Sequence, residues 1–173
     1  MSPHATPAVV IAPYDADWPR QFAALAVQLA ALLGERARSI EHVGSTAVPG
    51  LAGKPVMDVD VVVATAADVA PAIAQLAAHG YAHEGDLGVP GREALTAPAR
   101  ATPHHLYVLV DGAAQLRRHL ALRGALRADP ALRAAYESLK RGLAQRHPTD
   151  RAAYSEGKSA FIAAALARRR QDR

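Results

Sequence analysis

The chain contains no cysteine. That excludes a disulfide framework and thiolate metal sites, so any bound metal must be held by oxygen or imidazole donors, a set that suits hard cations such as Mg²⁺ or Mn²⁺. Aromatic residues make up only 5% of positions, and they do not interleave with basic residues as binders of single-stranded nucleic acid require. No apolar run approaches the ~20 residues of a membrane-spanning helix. No charged-then-apolar leader opens the sequence, so the expectation is a cytoplasmic protein without membrane contact. What is present is a chain of 173 residues, half of them apolar, long enough to bury one core with at most a small second lobe. A net charge of +4 and a pI near 9.8 favour an anionic partner without separating a nucleoside triphosphate from a nucleic acid. The run Arg168 to Arg170 reads as favourable charge at a helix C-terminus rather than as a nucleic-acid surface.

Periodicity divides the chain into elements. Val9 to Ile11 is expected as an edge strand and Pro13 to Asp17 as a turn. Trp18, Phe22, Leu25, Leu29 and Leu32 then recur at helical spacing, with Asp17 as cap, Pro19 in the first turn and Gly34 as terminator. Ser39 to Val43 reads as a strand that runs into the connection GSTAVPGLAGKP, and Val56 to Val63 reads as a longer strand. A helix is expected from Val69 to His79 with Asp68 as cap, then a short strand at Tyr81 to His83. Glu84 to Pro103 reads as a long Gly/Pro-punctuated loop of the kind that serves a site or a lid. His104 to Val110 is a strand, and from Ala113 the pattern is helical, broken at Asp129-Pro130 and at Pro148, with Asp150 capping a final helix. The fold class is therefore α+β: a mixed-sheet lobe over residues 1–112 with helices on one face, then a helical C-terminal lobe over residues 113–173 packed on it as one unit.

The chemistry begins at VMDVDVVV. Strand alternation puts Asp58 and Asp60 on one face and Met57, Val59 and Val61 on the other. Two carboxylates two residues apart have Cβ atoms roughly 7 Å apart, close enough to share one or two divalent ions and costly to leave unpaired on a half-buried sheet. Upstream, Gly44-Ser45 ends a strand and opens a turn, where backbone N–H groups and a hydroxyl can meet phosphate oxygens. Thr46 continues that turn and is counted with it. Each feature alone is ordinary; strand, Gly-Ser turn and Asp-x-Asp strand in succession point to a metal-dependent phosphate site.

The block IEHVGSTAVPGLAGKPVMDVDVVV, the later VPGR and HHLYV, and the C-terminal spacing of LK with YSEGKSAFI resemble the GrpB family, also met as a domain fused to dephospho-CoA kinase. The resemblance spans about Val10 to Ile162. It implies a nucleotidyltransferase-like fold whose Gly-Ser turn and strand-borne Asp-x-Asp bind metal and nucleoside triphosphate. It also marks Lys54 and Arg92 as motif positions, with Lys140 and Lys158 of the helical lobe as further phosphate candidates. Such enzymes usually bring a third carboxylate from a later strand, and here the matching strand HHLYVLV has none. Alternation leaves His105 on the open face beside Asp58 and Asp60, either as third metal ligand or base, or hydrogen-bonded across the strand pair. His42, just before the turn, either touches ligand or is a buried strand histidine satisfied by backbone.

Two functions compete at this point. One is an enzyme that transfers a nucleoside monophosphate to an unidentified small-molecule acceptor, using Mg²⁺ or Mn²⁺ on Asp58, Asp60 and His105. The other is a weakly active or inactive nucleotide- or CoA-binding module linked to coenzyme A metabolism, which the absent third acid favours.

Overall fold

The structure is a computed structural model that describes residues 8–171, with side chains to Arg168; those of Arg169 and Arg170 in the expected basic run lie outside the described residues. Five strands, β1 (Ser39–Val43), β2 (Met57–Val63), β3 (Ala82–Gly85), β4 (Arg92–Thr96) and β5 (His104–Val110), form one sheet in the order β1-β2-β5-β4-β3. The central pair β2 and β5 is parallel and the other pairs are antiparallel. Among the described residues six α-helices accompany them: α1 (Trp18–Leu33), α2 (Val69–Ala77), α3 (Ala114–Ala128), α4 (Pro130–Arg146), α5 (Arg151–Glu156) and α6 (Ser159–Gln171). None is long and apolar enough to cross a membrane, among the described residues.

The two faces of the central strands are built differently. Met57, Val59, Val61 and Val63 of β2, with Leu106 and Val108 of β5, meet Leu25, Leu29 and Leu33 of α1 and Leu76 of α2 in the main core. Each such side chain, when fully buried, stabilises by ~1.5–3 kcal/mol. On the reverse face Val62 and Leu109 pack under Leu116 of α3. The same face carries Asp58, Asp60, His105 and Tyr107 earlier in the two strands. One half of that face is thus closed by α3, and the other half presents polar side chains to the C-terminal helices.

Four local expectations are corrected. Val9 to Ile11 forms no strand; Ala12 makes a single bridge with Gly53, and Val9 instead packs with Leu143 and Tyr154. Pro55, which would pair with Val10 in the same register, has no N–H to extend that bridge into a ladder. Asp17 holds Arg20 and Gln21 rather than capping backbone groups. The expected loop from Glu84 to Pro103 contains β4 and the end of β3, a hairpin turned by Gly85, Gly88 and Gly91 at positive φ. The sequence REALT lacks apolar alternation because only Ala94 and Leu95 of this strand are buried. The single final helix is two: Gly157 packs so closely on α4 that a Cβ there would lie 2.3 Å from Leu143 Cδ2, and Lys158 is left at the break between α5 and α6.

Candidate functional site

Asp60 is fully buried on β2, and its Oδ2 lies 2.7 Å from Nδ1 of His119 on α3. Gln115 Nε2 is 2.8 Å from the other ring nitrogen, so in this network Gln115 donates to Nε2 and Nδ1–H donates to the carboxylate. The second carboxylate oxygen of Asp60 is buried and has no hydrogen-bond partner among the described residues. Burial pushes the Asp60 carboxyl above the usual range; the His119 hydrogen bond opposes this and the Asp58 charge adds to it. Asp58, two residues away, is half-buried and lies against Gly44, where a Cβ would come 2.3 Å from Asp58 Oδ2. Gly44 has φ 73° and ψ −169°, a conformation that is essentially glycine-only, so the residue is required both for the turn and for the approach to Asp58.

After Gly44 the chain makes one tight turn at Ser45–Ala47 and is then tied to the C-terminal helices. Arg127 of α3 donates twice to the Ala47 carbonyl, at 2.9 and 2.7 Å. Val48 and Leu51 insert between Leu126 and Tyr136. Glu137 of α4 accepts the Ala52 N–H, and Lys140 of the same helix donates to the Ala52 carbonyl and lies 2.9 Å from Ser45 Oγ. Burial, followed by the charge of Lys158, lowers Lys140 to about 7. Lys158 and Lys54 both approach the Tyr154 ring, at 4.6 and 5.6 Å from its centroid. Burial first, and Lys54 next, lower Lys158 to about 8 while Asp58 works in the opposite direction.

A cleft of about 200 Å³ opens between the sheet and the helices, lined by Gly44, Ser45, Asp58, Tyr107, His119, Arg123, Tyr136 and Lys158 among others. It is smaller than the ~300–1,000 Å³ typical of ligand pockets, so a whole nucleotide would extend beyond it.

The anticipated site residues are therefore distributed as follows. Gly44, Ser45, Asp58 and Lys158 line the cleft, while Lys140 stands behind Ser45. Asp60 lies beneath, in contact with His119, and Lys54 and Lys158 both stand over the Tyr154 ring. Thr46 is buried, and its hydroxyl is 2.8 Å from His42 Nε2. His42 is thus satisfied by a side chain rather than by backbone; it stacks on Phe22 and is lowered to about 4 by burial and by Arg127 and Arg123. Arg92 begins β4 instead of lying in a loop, with its guanidinium 4.6 Å from the centre of the Tyr107 ring and its Nε buried without a partner. His105 is exposed and in register with Asp58. His119 was not anticipated. Its signal was present, since His119, Arg123 and Leu126 recur at helical spacing on α3 beside the apolar stripe.

Asp58 and Asp60 could hold a divalent cation. Their donors are hard oxygens, and the unpartnered buried oxygen of Asp60 is an unmet acceptor. Among the described residues no three His, Cys, Asp or Glu side chains gather to form a metal cage, so Asp58, Asp60 and His105 do not constitute a closed three-ligand site. Two carboxylates suffice for Mg²⁺ that completes its shell with substrate phosphates and water.

The family model described as GrpB protein matches residues 8–168. UPF0157 protein SCO7215 of Streptomyces coelicolor is 37% identical over 155 residues, which covers 90% of this chain and 81% of that protein. UPF0157 protein YqkA of Bacillus subtilis is 32% identical over 149 residues, 86% of this chain, and the chain spans only 43% of that protein's length. A dephospho-CoA kinase of Mycolicibacterium paratuberculosis is 30% identical over 171 residues, covering 84% of this chain and 42% of the kinase. Among solved structures, conserved protein GrpB from Enterococcus faecalis superposes with a TM-score of 0.82 at 34% identity, covering 92% of this chain and 96% of that one. The Cid1 poly(U) polymerase in its MgGTP-bound form superposes with a TM-score of 0.56 at 18% identity, over 79% of this chain and 45% of the polymerase, a likeness of fold.

Proposed function

The chain belongs to the GrpB family, and we propose that it binds a nucleoside triphosphate with a divalent metal in the cleft beside β2 and transfers its nucleoside monophosphate to a small-molecule acceptor. The observation that carries this reading is the pairing of opposite chemistries across one cleft. Asp58 and Lys158 both line the cleft; the unpartnered oxygen of Asp60 is buried beneath it on the same strand as Asp58, Lys54 shares the Tyr154 ring with Lys158, and Lys140 stands behind Ser45. Buried acids without a cation are costly, and so are crowded lysines without an anion. A metal–triphosphate complex satisfies both at once. The fold is that of nucleotidyltransferase-like proteins, and the Cid1 polymerase, described with MgGTP and with a UTP analogue, is one of them.

In this reading the Gly44-Ser45 turn receives phosphate oxygens, and Lys54 and Lys158 offset the charge of the outer phosphates. Asp58 and Asp60 would hold Mg²⁺ or Mn²⁺, whose charge, when bound, polarises the phosphate under attack and stabilises the departing pyrophosphate. His119 orients the Asp60 carboxylate through Nδ1. His105, exposed and in register with Asp58, takes the acceptor's proton, and Arg92 faces the same open side from above Tyr107. A second reading, a nucleotide- or CoA-binding module with little turnover, is favoured by the contact that engages Asp60 with His119 and by the kinship with part of a dephospho-CoA kinase.

Thermal shift with ATP, with and without Mg²⁺, tests the shared premise. Ligand at a hundred times its dissociation constant stabilises by ~2.7 kcal/mol, and the shift should require Mg²⁺ and vanish in Asp58→Asn/Asp60→Asn. Equal shifts in parent and double variant would remove the site assignment. Pyrophosphate release on addition of small-molecule acceptors then separates enzyme from binding module.

A further inference from the structure

Lys140 is a buried lysine without an acid. It is 2% exposed, and among the described residues it enters no ion pair. Its Nζ donates to the Ala52 carbonyl, lies 2.9 Å from Ser45 Oγ and stands 5.1 Å from the centre of the Tyr136 ring. The charged groups that face it are Lys158 from the α5–α6 break and Glu137 and Arg141 from its own helix. Glu137 is committed elsewhere, to the Ala52 N–H and to Arg141. Burial and the neighbouring cations bring the amine down to about 7, so in mildly alkaline solution most of it is neutral and able to accept a proton.

Ser45 is the only hydroxyl that this amine touches among the described residues, and it opens on the cleft. Gly53 makes the contact possible, because a Cβ there would lie 2.8 Å from Ser45 Cβ and 3.6 Å from Lys140 Nζ. A serine hydroxyl in contact with a buried lysine, facing solvent on one side, has the arrangement of a nucleophile and its general base. The walls of the cleft decide what it attacks. Lys158 on the rim suits a polyanionic leaving group, whereas the Asp58 carboxylate beside Gly44 would repel the oxyanion of an acyl intermediate.

We propose that Ser45 is itself a nucleotide acceptor with Lys140 as its base, so that the protein nucleotidylates its own phosphate-binding turn. The proposal rests on the reading that a nucleoside triphosphate occupies the cleft. The Ser45 Oγ–H proton passes to the neutral Lys140 amine, and Oγ forms a bond to the α-phosphorus. The bond from that phosphorus to the oxygen bridging to the β-phosphate breaks, and pyrophosphate leaves with the electron pair. The product is a phosphodiester joining Ser45 to the nucleoside.

The test incubates the full chain with Mg²⁺ and ATP labelled at either the α- or the γ-phosphate across neutral to alkaline pH. Intact mass and peptide mapping follow, with ATP binding measured in parallel by calorimetry. The expected result is α-label, and no γ-label, on the peptide bearing Ser45, with one pyrophosphate released per adduct and a rate that rises through the region near 7 where Lys140 loses its proton. Ser45→Ala should abolish the label while leaving the fold intact. Lys140→Met should slow labelling and remove the pH dependence; if that variant unfolds, Ser45→Ala and the pH profile of the parent still decide. ATP binding without α-label on Ser45, γ-label in its place, or α-label that persists in Ser45→Ala each overturns self-nucleotidylation and leaves the nucleotide site standing. Absence of ATP binding overturns both.

Discussion

Gly44→Ala tests the site at the point where backbone and chemistry meet. The backbone at Gly44 has φ 73° and ψ −169°, a region that costs a residue with a side chain ~1–3 kcal/mol. The new methyl group would also lie 2.3 Å from Asp58 Oδ2 and 3.1 Å from Asp58 Cβ, so the acid must rotate or β2 must shift, an overpacking penalty of a further ~1–3 kcal/mol. For a chain of this size each kcal/mol lowers the melting temperature by ~2–4 °C, so a fall of roughly 5–20 °C is expected. Gly50→Ala is the control: its φ is also positive, at 78°, but nothing lies within 4 Å of the added carbon. It should cost strain alone and leave the Mg²⁺-dependent response to ATP intact, whereas Gly44→Ala should lose that response because Asp58 is displaced. The assay is differential scanning fluorimetry of both variants with and without Mg²⁺-ATP. If Gly44→Ala melts with the parent and retains the same Mg²⁺-ATP shift, the claim that this glycine sets the position of Asp58 is wrong.

Asp60→Asn should raise stability at neutral pH by ~1–3 kcal/mol, because a buried carboxylate with one unpartnered oxygen becomes a neutral amide that can still accept from His119. Since burial raises the folded-state pKa of Asp60, the native state of the parent holds that proton more tightly than the unfolded chain, and stability falls as pH rises through the raised value. The gain in Asp60→Asn measured by urea unfolding should therefore shrink toward pH 4; an equal gain at every pH would refute the assignment. Lys140 and Lys158 have the opposite sign. Their folded values, about 7 and about 8, lie below the ordinary 10.5, so the unfolded chain binds more protons and stability should climb from pH 7 to 9, a rise that Lys140→Met/Lys158→Met removes. Gly157→Ala has no φ penalty but would press on Leu143, and a loss of ~1–3 kcal/mol in chemical denaturation is expected.

The features legible in the sequence are those with a local period. The stripe from Trp18 to Leu32 gives α1, and alternation in MDVDVVV puts Asp58 and Asp60 opposite Met57, Val59 and Val61. Both patterns hold because one core face decides them. β4 was illegible because its pairing, rather than its composition, makes it a strand: it lies between β3 and β5, and Arg92 and Thr96 face partners instead of a core. His119 has helical spacing with Arg123 and Leu126, but its partner is hidden for a related reason. It reaches Asp60 across 59 positions of sequence from a helix whose exposed side is crowded with arginines, and no local signal says which turn of α3 lies over β2. The role of Ser45 as a partner of Lys140 spans 95 positions and depends on Gly53 leaving space, a close approach that composition does not encode.

The long-range contacts that sequence could not supply are the ones that assemble the site. Within β1 and the connection itself, the Gly44–Ala52 turn is held by the His42–Thr46 contact and by short backbone hydrogen bonds from Ala47, Val48 and Leu51. Its long-range ties come from the C-terminal helices: Arg127 on the Ala47 carbonyl, Glu137 and Lys140 on the two backbone groups of Ala52, and Leu126 and Tyr136 around Val48 and Leu51. Hydrogen bonds from charged side chains to backbone are worth ~1.5–3 kcal/mol each when buried, about twice a neutral one. The same helices bring His119 to Asp60 and Lys158 to the rim of the cleft. Strand β2 therefore supplies the acids, α4 and the break between α5 and α6 supply Lys140 and Lys158, and the phosphate-binding turn lies where the two meet. A displacement of α3 or α4 would change phosphate turn, acid orientation and lysine environment together, which makes the packing of the helices on the sheet the natural control point of this site.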